Sequence, residues 1–432
     1  FIARYRHTGG TSLNMSPQDN PISFESSKLT RMLSYAYLHG VYMRLLCWPQ
    51  FLCYDYSMDA IPSVTTPLDC RLLLPCAGYV GLFGVVTVAL RAPKRYRRSG
   101  LMSLAILVVS FFPASNILFP VGTVIGERLL YTPSVGFCLF VVAWLHRGFS
   151  GRPRPQTRQS DASAAHGVGR RNGKATSNGR ANGRVQQVVE EAAPVPRQLR
   201  RLVLCFGVGS AVTAALVVRT LLRVQDWESS DTLFLHDGRI QPTSSKVQFN
   251  LGITHMQNQD WDAAVEALLR CAWADPLSSL PFYRIGQIEI LRGRFETAEH
   301  YLAAAIDKFG ASMMVRDEEV FHDLALAMFQ NGKVEQAETR LRVALQLNPE
   351  FAKGWNNLAC CMINRDIYDS TRALRKAVSL APENPQYWAN LALLAQHTGD
   401  PATASSAWRR ATELWPAMPE PQDCTWEFAP AG

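Results

Sequence analysis

The chain has 432 residues, room for two or three domains, and its 47% apolar and 19% charged residues are too apolar for a uniformly soluble chain and too polar for one lying wholly in a membrane. The net charge of +8 does not mark a nucleic-acid surface: residues 147–201 hold 12 Arg and Lys against 3 acidic residues, or +9, and the remainder, 32 basic against 33 acidic, carries −1. The 10 cysteines include no CxxC pair, so neither a zinc site nor a thioredoxin-like motif has support.

In chain order, residues 1–70 form a first segment. It begins with Phe1 rather than Met, which predicts further sequence upstream. Its stretch 33–53 is apolar but contains His39 and Arg44, and is expected as an interfacial helix. Cys47 and Cys53 are close enough in sequence to pair, but two free thiols are the expected state. A weak glycosylation sequon lies at Asn14, with Pro17 just beyond it.

Residues 71–145 hold three apolar stretches, 71–90, 101–119 and 129–145, and a fourth covers 202–218. Each is close to the ~20 residues that cross about 30 Å of hydrocarbon. Basic clusters at 91–98 and at both ends of the 146–201 loop should face the cytosol, leaving residues 1–70, the loop after the second span and everything beyond 218 on the opposite side. The Arg-, Ser-, Gly- and Asn-rich loop 146–201 has too little apolar surface to offset its chain entropy and is expected to be disordered. Residues 219–244 are a junction.

From residue 245 to 416 a period of about 34 residues appears, the mark of five tetratricopeptide repeats, with 417–432 as a tail. Paired helices need small residues where they touch: Gly252, Gly286, Ala325, Ala359 and Ala392 stand at one such position. Pro276, Pro349, Pro382 and Pro416 end second helices, and Gly310 takes that place in the second repeat. The sixth position of each first helix, on the concave surface, holds Asn250, Arg284, Asp323, Asn357 and Asn390. An Asn amide both donates and accepts, so Asn250, Asn357 and Asn390 are candidates for gripping an extended polypeptide by its backbone, against the alternative that they only join neighbouring repeats. No catalytic triad or metal-ligand spacing occurs in the repeats, so no metal-site residue is assigned, and any metal requirement stays open. The fold class is therefore all-α, polytopic membrane helices followed by a tetratricopeptide-repeat α-solenoid.

The sequences at 19–38 (DNPISFESSKLTRMLSYAYL), 52–62 (LCYDYSMDAIP), 112–140 (FPASNILFPVGTVIGERLLYTPSVGFCLF) and 219–234 (RTLLRVQDWESSDTLF) resemble the transmembrane and tetratricopeptide-repeat (TMTC) O-mannosyltransferases. The resemblance implies a GT-C enzyme of the endoplasmic-reticulum membrane, multi-pass, with its repeats in the lumen. It would move mannose from dolichyl-phosphate mannose to Ser or Thr of lumenal acceptor proteins, cadherin-type domains among them, with no nucleic-acid partner. It also implies that the catalytic acidic loop lies upstream of Phe1. In this chain Arg128, with Glu127 and Tyr131, is the candidate for holding the donor phosphate, because an Arg forms bidentate, charge-assisted bonds to phosphate. Asp55 and Asp59 are weaker candidates of the same side. The competing reading is a non-enzymatic, membrane-anchored repeat adaptor.

Overall fold

A computed structural model describes residues 19–56, 58–149, 197–308, 317–419 and 424–426; among these every regular element is a helix. Asn14, Gly310, most of the Arg-rich loop and the Asp59 side chain lie outside the described residues.

Helix α1 (Lys28–Cys47) opens with the Ser27 hydroxyl accepting the Thr30 N–H and closes at Trp48, whose extended backbone is the conformation a residue before proline prefers. It begins before the expected 33 and stops before 53, because Pro49 follows. Leu38, Val41, Tyr42 and Leu45 are buried against Cys53, Tyr56, Val124 and Ile125. Helices α2 (Leu73–Leu90), α3 (Lys94–Phe111), α4 (Tyr131–Phe149) and α5 (Arg197–Asp226) supply four stretches long and apolar enough to cross a membrane. Their large apolar side chains point outward: Phe83 is 74% and Phe206 77% exposed. In water such surfaces would drive association, and lipid is the solvent they fit.

Two boundaries differ from the sequence expectation. The second span ends its α-helix at Phe111 rather than running to 119, because Pro113 has no N–H to extend the ladder; a 3₁₀ turn (Phe112–Ala114) follows. Helix α5 runs on from 218 to Asp226, since nothing in 219–226 breaks it and its last arginines find partners: the Arg219 Nε donates to the Pro49 carbonyl at 3.2 Å. Close approach within the membrane half rests on glycine. A Cβ at Gly136 would stand 2.7 Å from the Ser103 carbonyl oxygen, and one at Gly40 would stand 2.7 Å from the Pro75 nitrogen.

After α6 (Ser230–Ile240) come five antiparallel pairs: α7 (Ser245–Gln257) with α8 (Trp261–Ala274), α9 (Leu280–Leu291) with α10 (Phe295–Asp307), α11 (Asp317–Gln330) with α12 (Val334–Leu347), α13 (Ala352–Met362) with α14 (Ile367–Leu380), and α15 (Pro385–His397) with α16 (Pro401–Leu414). The small-residue positions do what the spacing requires: a Cβ at Gly286 would come 2.5 Å from the Leu302 Cγ, so Leu302 seats itself over bare backbone. Among the described residues, Gln259, Gly293, Gly332 and Gly399 take positive φ between the paired helices, and the fourth pair, one residue shorter there, has no such residue. The tryptophans at the fourth repeat position do more than pack. Trp355 Nε1 donates to the Pro349 carbonyl at 2.9 Å and Trp388 Nε1 to the Pro382 carbonyl at 2.8 Å, fastening each first helix to the turn before it.

Leu341, fully buried between repeats, sits in the largest core cluster. Leu341→Ala should cost about 3 kcal/mol of solenoid stability, read as a shift in the denaturation midpoint followed by circular dichroism.

Candidate functional site

The loop after α1 is held between two acidic side chains from distant parts of the chain. From the membrane half, Glu127 Oε1 accepts the Cys53 N–H at 2.9 Å and the Tyr56 hydroxyl at 2.7 Å. From α6, Asp237 Oδ2 accepts the Tyr54 N–H at 2.8 Å. Asp237 is fully buried and meets Arg223 of α5, itself 13% exposed, at 2.8 and 3.2 Å, with His236 Nδ1 at 2.9 Å. Burial drives the Asp237 carboxyl upward, but hydrogen bonds from Arg223, His236 and the Tyr54 N–H outweigh it and hold the group below its ordinary value. Burial, with Glu127 nearby, pushes the Tyr56 hydroxyl well up, so it stays a donor.

Three of the sequence candidates meet here and two stand apart. Glu127 engages the loop through Cys53 and Tyr56 rather than steadying Arg128. Asp55 lies on the same loop, 3.9 Å from Lys246 of the first repeat, which also pairs with Asp19 at 2.9 Å. Asn250 donates to the Tyr54 hydroxyl at 2.6 Å, so the first concave position faces this loop. Arg128 is exposed, and no ion pair or hydrogen bond to its guanidinium occurs among the described residues. Tyr131, at the start of α4, is 75% exposed. Between α1, α2, α3 and α4 opens an apolar cleft of about 240 Å³, lined by His39, Tyr79, Leu107, Phe111, Leu130 and Pro133. At its wall His39 Nε2 donates to the Ser115 carbonyl at 2.6 Å, leaving Nδ1 to accept the Tyr79 hydroxyl at 2.5 Å. Among the described residues no cluster of His, Cys, Asp or Glu is arranged to hold a metal.

On the concave face a polar ladder crosses four repeats. Gln287 donates to Asp323 at 3.1 Å. His322 Nδ1 lies 3.0 Å from Asp323 and its Nε2 2.7 Å from the Asn357 amide. Asn356 donates to Asn357 at 2.9 Å, and Asn390 donates to Asn356 at 2.8 Å. Asn356, Asn357 and Asn390 are fully buried, so each bond replaces water that cannot reach them. Arg284 turns along its own helix to Gln287 at 2.8 Å. At the end of the ladder the Asn390 amide holds the backbone of Thr425: Oδ1 accepts the Thr425 N–H at 2.9 Å and Nδ2 donates to its carbonyl at 2.8 Å. Asn356 and His322, one place before the inspected column, were not singled out from sequence; two adjacent asparagines at 356–357 are the signal for the first. Cys47 and Cys53 are free thiols, as expected, whereas the disulfide joining Cys360 to Cys424 has no counterpart in the sequence expectation.

Asp237→Ala leaves Arg223 and the Tyr54 N–H without their acceptor and should lower stability by about 3 kcal/mol in urea titrations of the detergent-solubilised chain. Because the Asp237 carboxyl is depressed in the folded state, its contribution is complete above the ordinary Asp value of about 4 and is lost as pH falls through the lower folded value. The wild type should therefore lose more stability than Asp237→Asn between pH 5 and 3, estimated as about that window around the ordinary Asp value, in melts recorded at each pH.

The family model described as "Protein O-mannosyl-transferase TMTC, DUF1736" matches residues 9–83, and tetratricopeptide-repeat models match 249–313 and 385–410. The chain is 27% identical to the protein O-mannosyl-transferase TMTC3 of Mus musculus over 347 residues, covering 78% of this chain and 32% of that protein. It is 46% identical to the protein O-mannosyl-transferase F38B6.6 of Caenorhabditis elegans over 121 residues, 28% of this chain and 17% of the relative. It is 42% identical to the protein O-mannosyl-transferase TMTC1 of Mus musculus over 149 residues, 34% and 16% of the two chains. The chain thus spans about a third or less of the length of these relatives. By its first segment, its repeats and these relatives the chain is similar to the transmembrane and tetratricopeptide-repeat (TMTC) protein O-mannosyl-transferases.

Proposed function

We propose that this chain is the donor-holding and acceptor-presenting part of a protein O-mannosyltransferase of the endoplasmic-reticulum membrane. The donor is dolichyl-phosphate mannose and the acceptor a Ser or Thr hydroxyl on a lumenal protein, cadherin-type domains among them. The observation that carries the reading is Arg128: an exposed guanidinium without a partner among the described residues, two positions before Leu130 in the wall of an apolar cleft between the membrane helices. An ionisable group at a membrane boundary, open to solvent and unpaired, is available to an anionic headgroup. A donor that pairs one phosphate with a long prenyl chain fits both features, with the chain against Leu107 and Leu130 and the phosphate on Arg128.

In this reading the acceptor oxygen attacks C1 of the mannose, the bond from C1 to the phosphate oxygen breaks, and dolichyl phosphate leaves as a charge that Arg128 stabilises. A carboxylate takes the hydroxyl proton. Glu127 and Asp237 are poor choices for that base, since both are committed to backbone and side-chain donors of the loop junction. The base is to be sought outside the residues described here. The repeats, joined to the membrane half through Tyr54 and Asn250, bring the acceptor to the membrane face. The Cys360–Cys424 disulfide supports a lumenal placement of the repeats, because such bonds persist in oxidising compartments. A membrane-anchored adaptor without transfer remains the competing reading, favoured by the same commitment of Glu127 and Asp237 to structure.

The test is mannose transfer from dolichyl-phosphate mannose in microsomes, by wild type and Arg128 variants. Arg128→Ala should raise the KM for the donor at least about tenfold, the scale of one charge-assisted bond lost, and Arg128→Lys should recover part of it. An unchanged donor KM overturns the role of Arg128. Absence of transfer by the wild type favours the adaptor.

A further inference from the structure

The residue that meets the end of the asparagine ladder belongs to the chain itself. Residues 424–426 run along the concave side of the last repeats, and Thr425 is held as a strand residue would be, by both its N–H and its carbonyl on Asn390. Asn356 adds a third bond to the same carbonyl at 3.2 Å. The Thr425 side chain is exposed, so this grip reads backbone and leaves the side chain unspecified. The next residue supplies the specificity: the Trp426 ring stacks on Phe329 with centroids 4.5 Å apart and packs against the main core cluster. The preceding residue supplies a covalent latch, Cys424 to Cys360 on α13.

The fit is incomplete in one respect. The Trp426 indole nitrogen is buried with no hydrogen-bond partner among the described residues, a loss that a phenylalanine in its place would not suffer. The tether offsets this by making the segment's binding intramolecular. Cys361, the neighbour of the latch, is buried and its thiol is pushed up to about 12, which keeps it protonated and out of exchange.

We propose that residues 424–426 are a resident ligand of the concave groove, latched by the Cys360–Cys424 disulfide, and that opening the latch frees the groove for an extended polypeptide bearing an aromatic side chain. A dithiol reductant opens it in two steps. One of its thiolates attacks a latch sulfur, releasing one cysteine and forming a mixed disulfide. Its second thiolate then closes the reductant's own disulfide and releases the other cysteine. Two electrons and two protons pass to the protein sulfurs. The inference concerns occupancy of the groove and stands apart from sugar transfer.

The probe is a fluorescein-labelled peptide copying residues 422–428 with serine for the cysteine, titrated against the full chain in detergent and read by fluorescence anisotropy. Oxidised wild type should bind it at least tenfold more weakly than dithiothreitol-reduced wild type or Cys424→Ser. Adding Asn390→Ala to Cys424→Ser should weaken binding at least tenfold, as should alanine for tryptophan in the peptide. Cys360→Ser reads the same latch from the other side, and circular dichroism of each variant verifies the fold. Equal binding by oxidised and reduced wild type overturns the latch, and absence of binding by reduced wild type overturns the groove as a peptide site. Neither result alters the donor-KM outcome for Arg128 variants, so the two readings fail separately.

Discussion

The attachment of the repeats to the membrane half depends on one short loop held from both sides. Cys53 and Tyr56 bond to Glu127, which precedes a membrane helix, and Tyr54 bonds to Asp237 at the entry to the solenoid. Without these bonds, buried carboxylates and loop N–H groups would lose their partners together, which is why a segment so short fixes two large bodies. The Arg223–Asp237 pair shares the load, since Arg223 is the end of the long helix that leaves the membrane. The clamp is therefore continuous from α5 through α6 to the loop and on to α4.

The same economy governs the solenoid. Each helix pair closes over a Gly or Ala, and each repeat is sealed to the next by apolar contacts. A polar ladder through that interior is expensive unless every group is met, and here His322, Asn357, Asn356 and Asn390 meet one another in series. The series ends in an amide whose free edge faces a backbone. One Asn390 amide thus bonds both the neighbouring repeat, through Asn356, and the backbone of Thr425 in the same chain. Asn357 is spent on its neighbours, Asn390 is shared with Thr425, and Asn250 turns to the membrane-side loop.

Much of the fold was legible because its signals are local or periodic. Four apolar stretches announce themselves by length, and the repeats by small residues at fixed intervals. The end of the second span was misplaced because an apolar composition continues through Pro113 although the helix does not. The site was less legible. Glu127 was noted for its neighbour Arg128, yet its bonds go to residues more than seventy positions earlier. Asp237 and Cys424 carried no motif, and the Cys360 pairing joins residues 64 apart in sequence.

The sequence by itself determined the division into membrane helices and a repeat solenoid, the packing positions of each repeat and the likeness to one family, because hydrophobic length and periodicity are properties of contiguous residues. Only the tertiary structure decided which acids are structural, which cysteines pair and what lies in the concave groove. Those outcomes depend on which distant groups are brought within about 3 Å of one another, and hydrogen bonding is too short-ranged to leave a trace in linear spacing.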